Sequence, residues 1–325
     1  MTPGTAILEA FYQAAGQFVR PDYLATLLKS PVPRVTAEIA ELQQLGYSIE
    51  SHPHFGYRLV GSPYRLTADD IKARIRTRIV GSEILVFEET ASTNDVVAHL
   101  ERSQAKEGLV VFAETQTKGR GRHGRTWVSP RGKGLWFSVL LRPKLTSSAA
   151  PRITVAASVA VARAIRKTSS LDARIKWPND VTLNGKKVAG ILTELHAEGD
   201  EVLAAILGIG IDVNCGREDF SGDVGGIATS LQLEAERPQD RAALAAEVLL
   251  RLDECYAAAL TDFDAIVEEW ARLSTTLGKQ LVVTMGERRI EGHAQALDGD
   301  GALLLRRDNG QIERILGADV TVERA

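Results

Sequence analysis

Along the first sixty residues apolar positions recur with the period of amphipathic helices. Ile7, Leu8, Phe11 and Tyr12 mark one helix, Tyr23, Leu24, Leu27 and Leu28 a second, and Val35, Ile39, Leu42 and Leu45 a third that stops at Gly46. Tyr47 to Glu50 and Phe55 to Val60, joined through His52-Pro53-His54, read as a short hairpin. The order is that of a winged helix-turn-helix, and the turn-like run Gly61 to Thr67 reads as a linker.

Farther on, the pattern alternates between strand and helix periods. Strands are expected at Ile84–Phe87, Leu109–Glu114 and Leu135–Leu141, and helices at Asn94–Glu101, capped by Ser92 or Thr93, and at Ile153–Lys167. Thr117–Pro130 is glycine-containing, polar and without period, so it is a loop, and its length places it among functional lids. Asn184-Gly185 is the preferred type I′ turn pair. It predicts Leu183 opposite Lys186, Thr182 opposite Lys187, Val181 opposite Val188 and Asp180 opposite Ala189, with Asp180 and Lys187 on one surface. In Val202–Asn214, Leu203, Ala205, Leu207, Ile209, Ile211 and Val213 face a core, whereas Gly208, Gly210, Asp212 and Asn214 face the other way. Glycines inside a strand mark close approach of a ligand or backbone, so that face reads as a pocket floor. A helical stretch, Arg241–Trp270, precedes short alternating strands over Leu281–Glu323 that read as a small β-barrel. The expected fold is α+β: a central mixed sheet with helices over residues 65–275, after a winged domain in 1–64 and before a small barrel in 276–325.

At 325 residues the chain is too long for one core, and 44% hydrophobic with 25% charged residues is a folded composition. The longest nearly apolar run, Ile153–Ala162, is far short of the ~20 residues of a membrane helix, so no membrane association is expected. With Cys215 and Cys255 as the only cysteines and no secretion-signal layout, a reduced, cytoplasmic setting is expected. The net charge of −3 conceals a concentration: Thr115–Leu171 holds twelve Lys or Arg and no acidic residue. An anionic ligand is expected there.

Gly119-Arg120-Gly121-Arg122-His123-Gly124 matches G-x-G-x-x-G, but no helix opens after it and no acidic residue follows at about 20 positions, so the match fails on the context a Rossmann site requires. Arginines can grip phosphates directly, and Lys118, Arg120, Arg122 and Arg125 could neutralise a nucleotide's phosphates while Trp127 covers its base. Asn179 and Asp180 leave a strand beside Lys187, which suits activation of a carboxylic acid by a nucleotide, with Asp180 and Asn179 available to Mg²⁺.

Together, Ser92-Thr93-Asn94, Glu114-Thr115-Gln116, Gly119–Arg122 with Arg125 and Trp127, Lys176-Trp177-Pro178-Asn179-Asp180, Lys187-Val188-Ala189-Gly190-Ile191 and Gly208-Ile209-Gly210-Ile211 resemble the biotin–protein ligase family. The likeness is to the larger type with an amino-terminal DNA-binding domain. The resemblance implies ATP- and Mg²⁺-dependent conversion of biotin to biotinoyl-5′-AMP, then transfer to a lysine of a biotin carboxyl carrier protein. By the same resemblance Ser92, Thr93, Asn94, Gln116, Gly119, Arg120, Gly121, Arg122, Lys187, Gly190 and Gly208 hold biotin. Arg122, Arg125, Trp127, Asn179, Lys187 and Asp212 are expected to meet the nucleotide and Lys187, Asp180 and Arg122 to be catalytic, Asp180 either as a Mg²⁺ ligand or as acceptor of the attacking lysine's proton. The loop 117–134 is expected to order over the adenylate, and a homodimer through a sheet edge is implied. Asp212 stands where the family usually has Asn. In the DNA-reading helix the family's polar and basic positions are Pro31, Val32, Ala37, Glu38 and Gln43 here, leaving Arg34 as the DNA-contact candidate. Residues 1–63 carry four basic against five acidic residues, which disfavours DNA. A regulator that senses biotinoyl-AMP on an operator and a lipoate or octanoate ligase are the alternatives.

Overall fold

Prolines open the first helices, where a missing N–H and a fixed φ cost nothing. They are α1 (Pro3–Gln13), α2 (Pro21–Leu28) and α3 (Val32–Gln44), followed by the hairpin strands β1 (Ser48–His52) and β2 (Gly56–Gly61). The computed structural model describes residues 2–220, 225–285, 287–317 and 319–322. It divides into two units, residues 1–76 with 240–246, and 77–239 with 247–325.

The first unit is a winged helix-turn-helix whose core joins Ile7, Leu8 and Phe11 of α1 to Leu24, Val35, Ile39 and Leu42. Tyr23 and Leu27, expected in the apolar stripe of the second helix, are 53% and 43% exposed. An eight-residue helix buries one narrow stripe, here Leu24 with Ala25 and Leu28 packed beside it. After the expected linker comes α4 (Ala68–Arg74), capped by the Thr67 hydroxyl and packed on α1.

The second unit is built on a seven-stranded mixed sheet, ordered β3-β4-β5-β9-β8-β7-β6. In chain order its elements are β3 (Glu83–Phe87), α5 (Thr93–Arg102), β4 (Leu109–Ala113), β5 (Gly134–Leu141), α6 (Pro151–Ser169), β6 (Arg174–Lys176), β7 (Asp180–Leu183), β8 (Lys186–Glu198) and β9 (Glu201–Asp212). Strands β3 and β4 are parallel and the remaining pairs antiparallel. Register assigns the two faces. Ser138 opposes Gly208, which opposes Leu192, and Trp136 opposes Gly210, which opposes Gly190. Farther along that face Leu140 and Ile206 pack with Val97 of α5, whereas α6 covers the other face, its Thr154 bonded to Thr193 at 2.8 Å. The short α7 (Leu231–Ala235) and the helices α8 (Arg241–Thr261) and α9 (Phe263–Leu273) follow. Among the described residues no helix is long and apolar enough to cross a membrane.

Two expectations are corrected. In the β7–β8 hairpin the positive φ of Asn184 and Gly185 fits the type I′ turn, and Leu183–Lys186 and Thr182–Lys187 pair as expected. Beyond them a bulge shifts the register, so Val181 opposes Ala189 and Asp180 opposes Gly190. The cause is not local: the Lys187 N–H donates to the Ile227 carbonyl and its carbonyl accepts from Thr229 N, both at 2.8 Å, which frees the bulged strand from its hairpin partner. The carboxy-terminal strands β10 (Gln280–Met285), β11 (Arg288–Leu297), β12 (Leu303–Arg306), β13 (Ile312–Ile315) and β14 (Asp319–Val322) form an open antiparallel sheet ordered β13-β12-β11-β10-β14. Among the described residues β13 and β14 do not pair, so it is not a closed barrel. Strands of four residues leave little ladder with which to tilt and close it.

Candidate active site

A cavity of about 410 Å³ opens on the glycine-bearing face of the sheet, between α5 and the loop after β4. Its floor needs glycine. A Cβ at Gly208 would collide with the Asn94 amide, and Cβ atoms at Gly210 and Gly190 would lie 2.6 and 2.9 Å from the Trp127 indole. Asn94 therefore seats on Gly208, and Trp127 lies against Gly210 and Gly190.

The loop over this floor is an irregular ladder. Gln116 bridges Ser129, Arg120 bridges Thr126, and Gly121 N donates to the Arg125 carbonyl at 2.7 Å. The excursion turns at Arg122–Gly124, where His123 and Gly124 have positive φ. Gly119 does not line the cavity; its Cβ would strike the Trp127 carbonyl, so it permits the two arms of the ladder to approach.

Over Gly208 the side chains form a continuous hydrogen-bond network. Gln116 Oε1 accepts from Thr93 N at 2.9 Å, Thr93 Oγ1 and Ser138 Oγ lie 2.7 Å apart, and Ser138 Oγ donates to Asn94 Oδ1 at 2.5 Å. Asn94 Nδ2 donates to Glu194 at 2.6 Å, and Glu194 also meets Arg120, which holds Asp95 at 2.8 Å. Two carboxylates thus occupy Arg120 and keep its guanidinium more firmly protonated, chiefly through the Asp95 hydrogen bond. Ser92 lines the same end.

The other end is ionic. Lys187 Nζ lies 2.7 Å from Asp180 Oδ1 and 5.1 Å from the centre of the Trp127 ring. The two share a surface as the turn predicted, and the bulge sets Asp180 opposite Gly190, which has no side chain to obstruct the pair. Arg122 Nη1 donates to Asn179 Oδ1 at 3.2 Å, and Asn179 is oriented by its own amide bond to the Ile191 carbonyl at 2.9 Å. Gly121 and the exposed Arg125 complete the rim, and Lys118 lies outside.

Asp212 does not line this cavity. It borders a smaller one of about 100 Å³ beneath Trp127, which shares Thr126, Trp127, Lys187 and Ile227 with the first. Its carboxyl is 6% exposed and bonds the Cys215 thiol at 3.6 Å. Loss of hydration pushes its pKa up to about 8, against the lowering effects of that bond and of Lys187. Arg34 belongs to the first unit, where it pairs with Glu38 at 2.5 Å.

The Biotin/lipoate A/B protein ligase family model matches residues 86–212, and that of the biotin protein ligase C-terminal domain matches 276–322. The bifunctional ligase/repressor BirA of Bacillus subtilis is 35% identical over 315 residues, 97% of either chain, and that of Escherichia coli is 30% identical over 318 residues, 96% of this chain and 95% of its own. The biotin protein ligase from Aquifex aeolicus, solved in complex with biotin and ATP, superposes with a TM-score of 0.64 at 28% identity, over 75% of this chain and all of that one. This chain belongs to the biotin protein ligase family.

For a biotin protein ligase fold, the sequence reading missed Ser138, Glu194, Asp95 and Ser129. Ser138 was accessible in principle, being the one polar residue of β5 and on the parity of Gly208. Glu194 and Asp95 were not, because their roles depend on where Arg120 reaches.

Proposed function

We propose that this chain activates biotin with MgATP to biotinoyl-5′-AMP and transfers the biotinoyl group to a lysine of a biotin carboxyl carrier protein in the cytoplasm. The observation that carries the reading is one cavity with an amide-and-hydroxyl network over Gly208 at one end and, at the other, the Lys187–Asp180 pair with Arg122 bonded to Asn179. The first end suits a ureido ring, whose donors and acceptors it can satisfy. An octanoyl or lipoyl chain has no ureido donors or acceptors to offer that network, which disfavours the alternative ligases.

In the first step a carboxylate oxygen of biotin attacks the α-phosphorus of ATP, the bond to the β-phosphate bridging oxygen breaks, and pyrophosphate leaves. Lys187 and Arg122 offset the charge that accumulates as the anions meet, an electrostatic rather than covalent contribution. In the second step the carrier lysine's amine attacks the acyl carbon, AMP leaves, and the amine gives up a proton, for which Asp180 is the carboxylate at hand. Mg²⁺ would be held largely by phosphates, with Asp180 as the protein ligand, and would shield phosphate charge.

Pyrophosphate release from ATP, tested with biotin, lipoate and octanoate in turn, decides the reading. Biotin-dependent release supports it, and release with lipoate or octanoate alone overturns it. The first unit carries a second reading, DNA-bound repression, because relatives named ligase/repressors match it along its length. A salt-dependent gel shift tests that reading. Self-association through a sheet edge such as β3 is testable by sedimentation.

A further inference from the structure

The acid-free segment supplies cations to two places, and the active site uses only the loop arginines. On the α6 side of the sheet, Arg163, Arg166 and Lys167 of α6 converge with Arg174 of β6, Arg251 of α8 and Arg272 of α9 around a recess of about 580 Å³. It shares no lining residue with the active-site cavity. Basic residues in the last turn of α6 would complement that helix's dipole, which accounts for Arg166 and Lys167. It does not account for cations arriving from three other elements in a chain that is otherwise acidic.

The nearby carboxylates are already engaged. Glu269 accepts from Arg163 Nε at 2.7 Å, Asp172 pairs with Arg166 and Arg174, and Glu247 and Glu254 pair with Arg251. Among the described residues Lys167 and Arg272 have no ion pair within 4.0 Å, Arg272 acting only at longer range on the lining carboxylate Glu269, and both side chains are exposed at the recess. Like charges gathered in a concavity focus a field that an anion relieves. The lining has one apolar side chain, Leu273, and no aromatic residue, so it lacks the core a protein interface needs. Guanidinium forks match phosphate oxygens bidentately.

We propose that this recess is a second binding site, specific for a small polyphosphate anion of the pyrophosphate or nucleoside-triphosphate class. The test is calorimetric titration of inorganic pyrophosphate into the full chain and into Lys167→Glu/Arg272→Glu. Lys106→Glu/Lys279→Glu, on exposed positions outside the recess, serves as the charge-matched control. The recess variant is expected to lose affinity about tenfold or more at one site. The control should bind as wild type, and biotin-dependent pyrophosphate release and the melting curve should be unchanged in both. Identical isotherms for recess variant and wild type would confine pyrophosphate to the active site and overturn the proposal. Absence of binding by wild type, an equal loss in the control, or equally tight binding of tricarballylate in place of phosphate would do the same.

Discussion

Helix α3 and the loop over the sheet both carry arginine in positions where nucleic acid or nucleotide contacts are expected, and their surroundings differ. In α3 Arg34 stands alone and pairs with Glu38, a carboxylate whose side chain is only 7% exposed, while the rest of the helix surface offers Val32, Thr36, Ala37 and Glu41. Over the sheet, Arg122 meets the neutral amide of Asn179, and Lys187 reaches the same cavity from a different strand. Cations act on a ligand when several segments bring them to one cavity, even where a carboxylate holds one of them, as Asp180 holds Lys187. A single arginine tied to its neighbour four residues on stabilises its own helix instead.

Changes at Lys187 should break the comparison most visibly. Lys187→Ala is expected to slow biotin-dependent pyrophosphate release about 10²–10³-fold, the usual cost of removing a preorganised charge stabiliser. A rate near wild type in a coupled pyrophosphate assay would remove the ionic end from the reaction. Substitutions in the floor should separate the two ends. Gly208→Ala displaces Asn94 and should raise the KM for biotin about tenfold with little change for ATP, while Gly210→Ala displaces Trp127 and should do the reverse. Parallel changes in both constants would mean the floor serves one undivided subsite.

Asp212 gives a pH signature. Its native pKa, about 8, lies above the ~3.9 of an unfolded chain, so its protonated form stabilises the fold below pH ~4 and that contribution is lost as pH rises toward 8. Asp212→Asn should therefore flatten the pH dependence of thermal melting and raise the melting temperature most near pH 8. Equal slopes for the two proteins would show that the carboxyl is hydrated. The smallest effect is expected at Arg34. Arg34→Ala should change the salt slope of DNA binding by well under the ~0.9 of one phosphate contact. A full unit of change would return α3 to the role of a reading helix.

Much of this was legible before the fold was known, where the cause lies within a few residues. Helix starts at proline, the Asn184-Gly185 turn, and the alternation that puts Gly208 and Gly210 on one face are set by backbone sterics and by a period of two or 3.6. Those rules needed no partner element, and the α+β class followed from them.

Other features were decided by tertiary structure. The bulge that turns Asp180 toward Gly190 depends on residues 227–229 pairing with Lys187, about forty positions on. Arg120 is engaged by Asp95 and Glu194, from one helix and one distant strand, so its charge could not be assigned from the loop motif. Asp212 shares the parity of Gly208 and Gly210, yet Trp127 settles on the floor and leaves it in a separate, dehydrated space. The recess at Arg163 and Arg272 arises only where α6, α8, α9 and β6 meet. In each case the deciding interaction joins groups far apart in the chain, where burial and charge depend on which surfaces close upon one another, and local pattern carries no record of that.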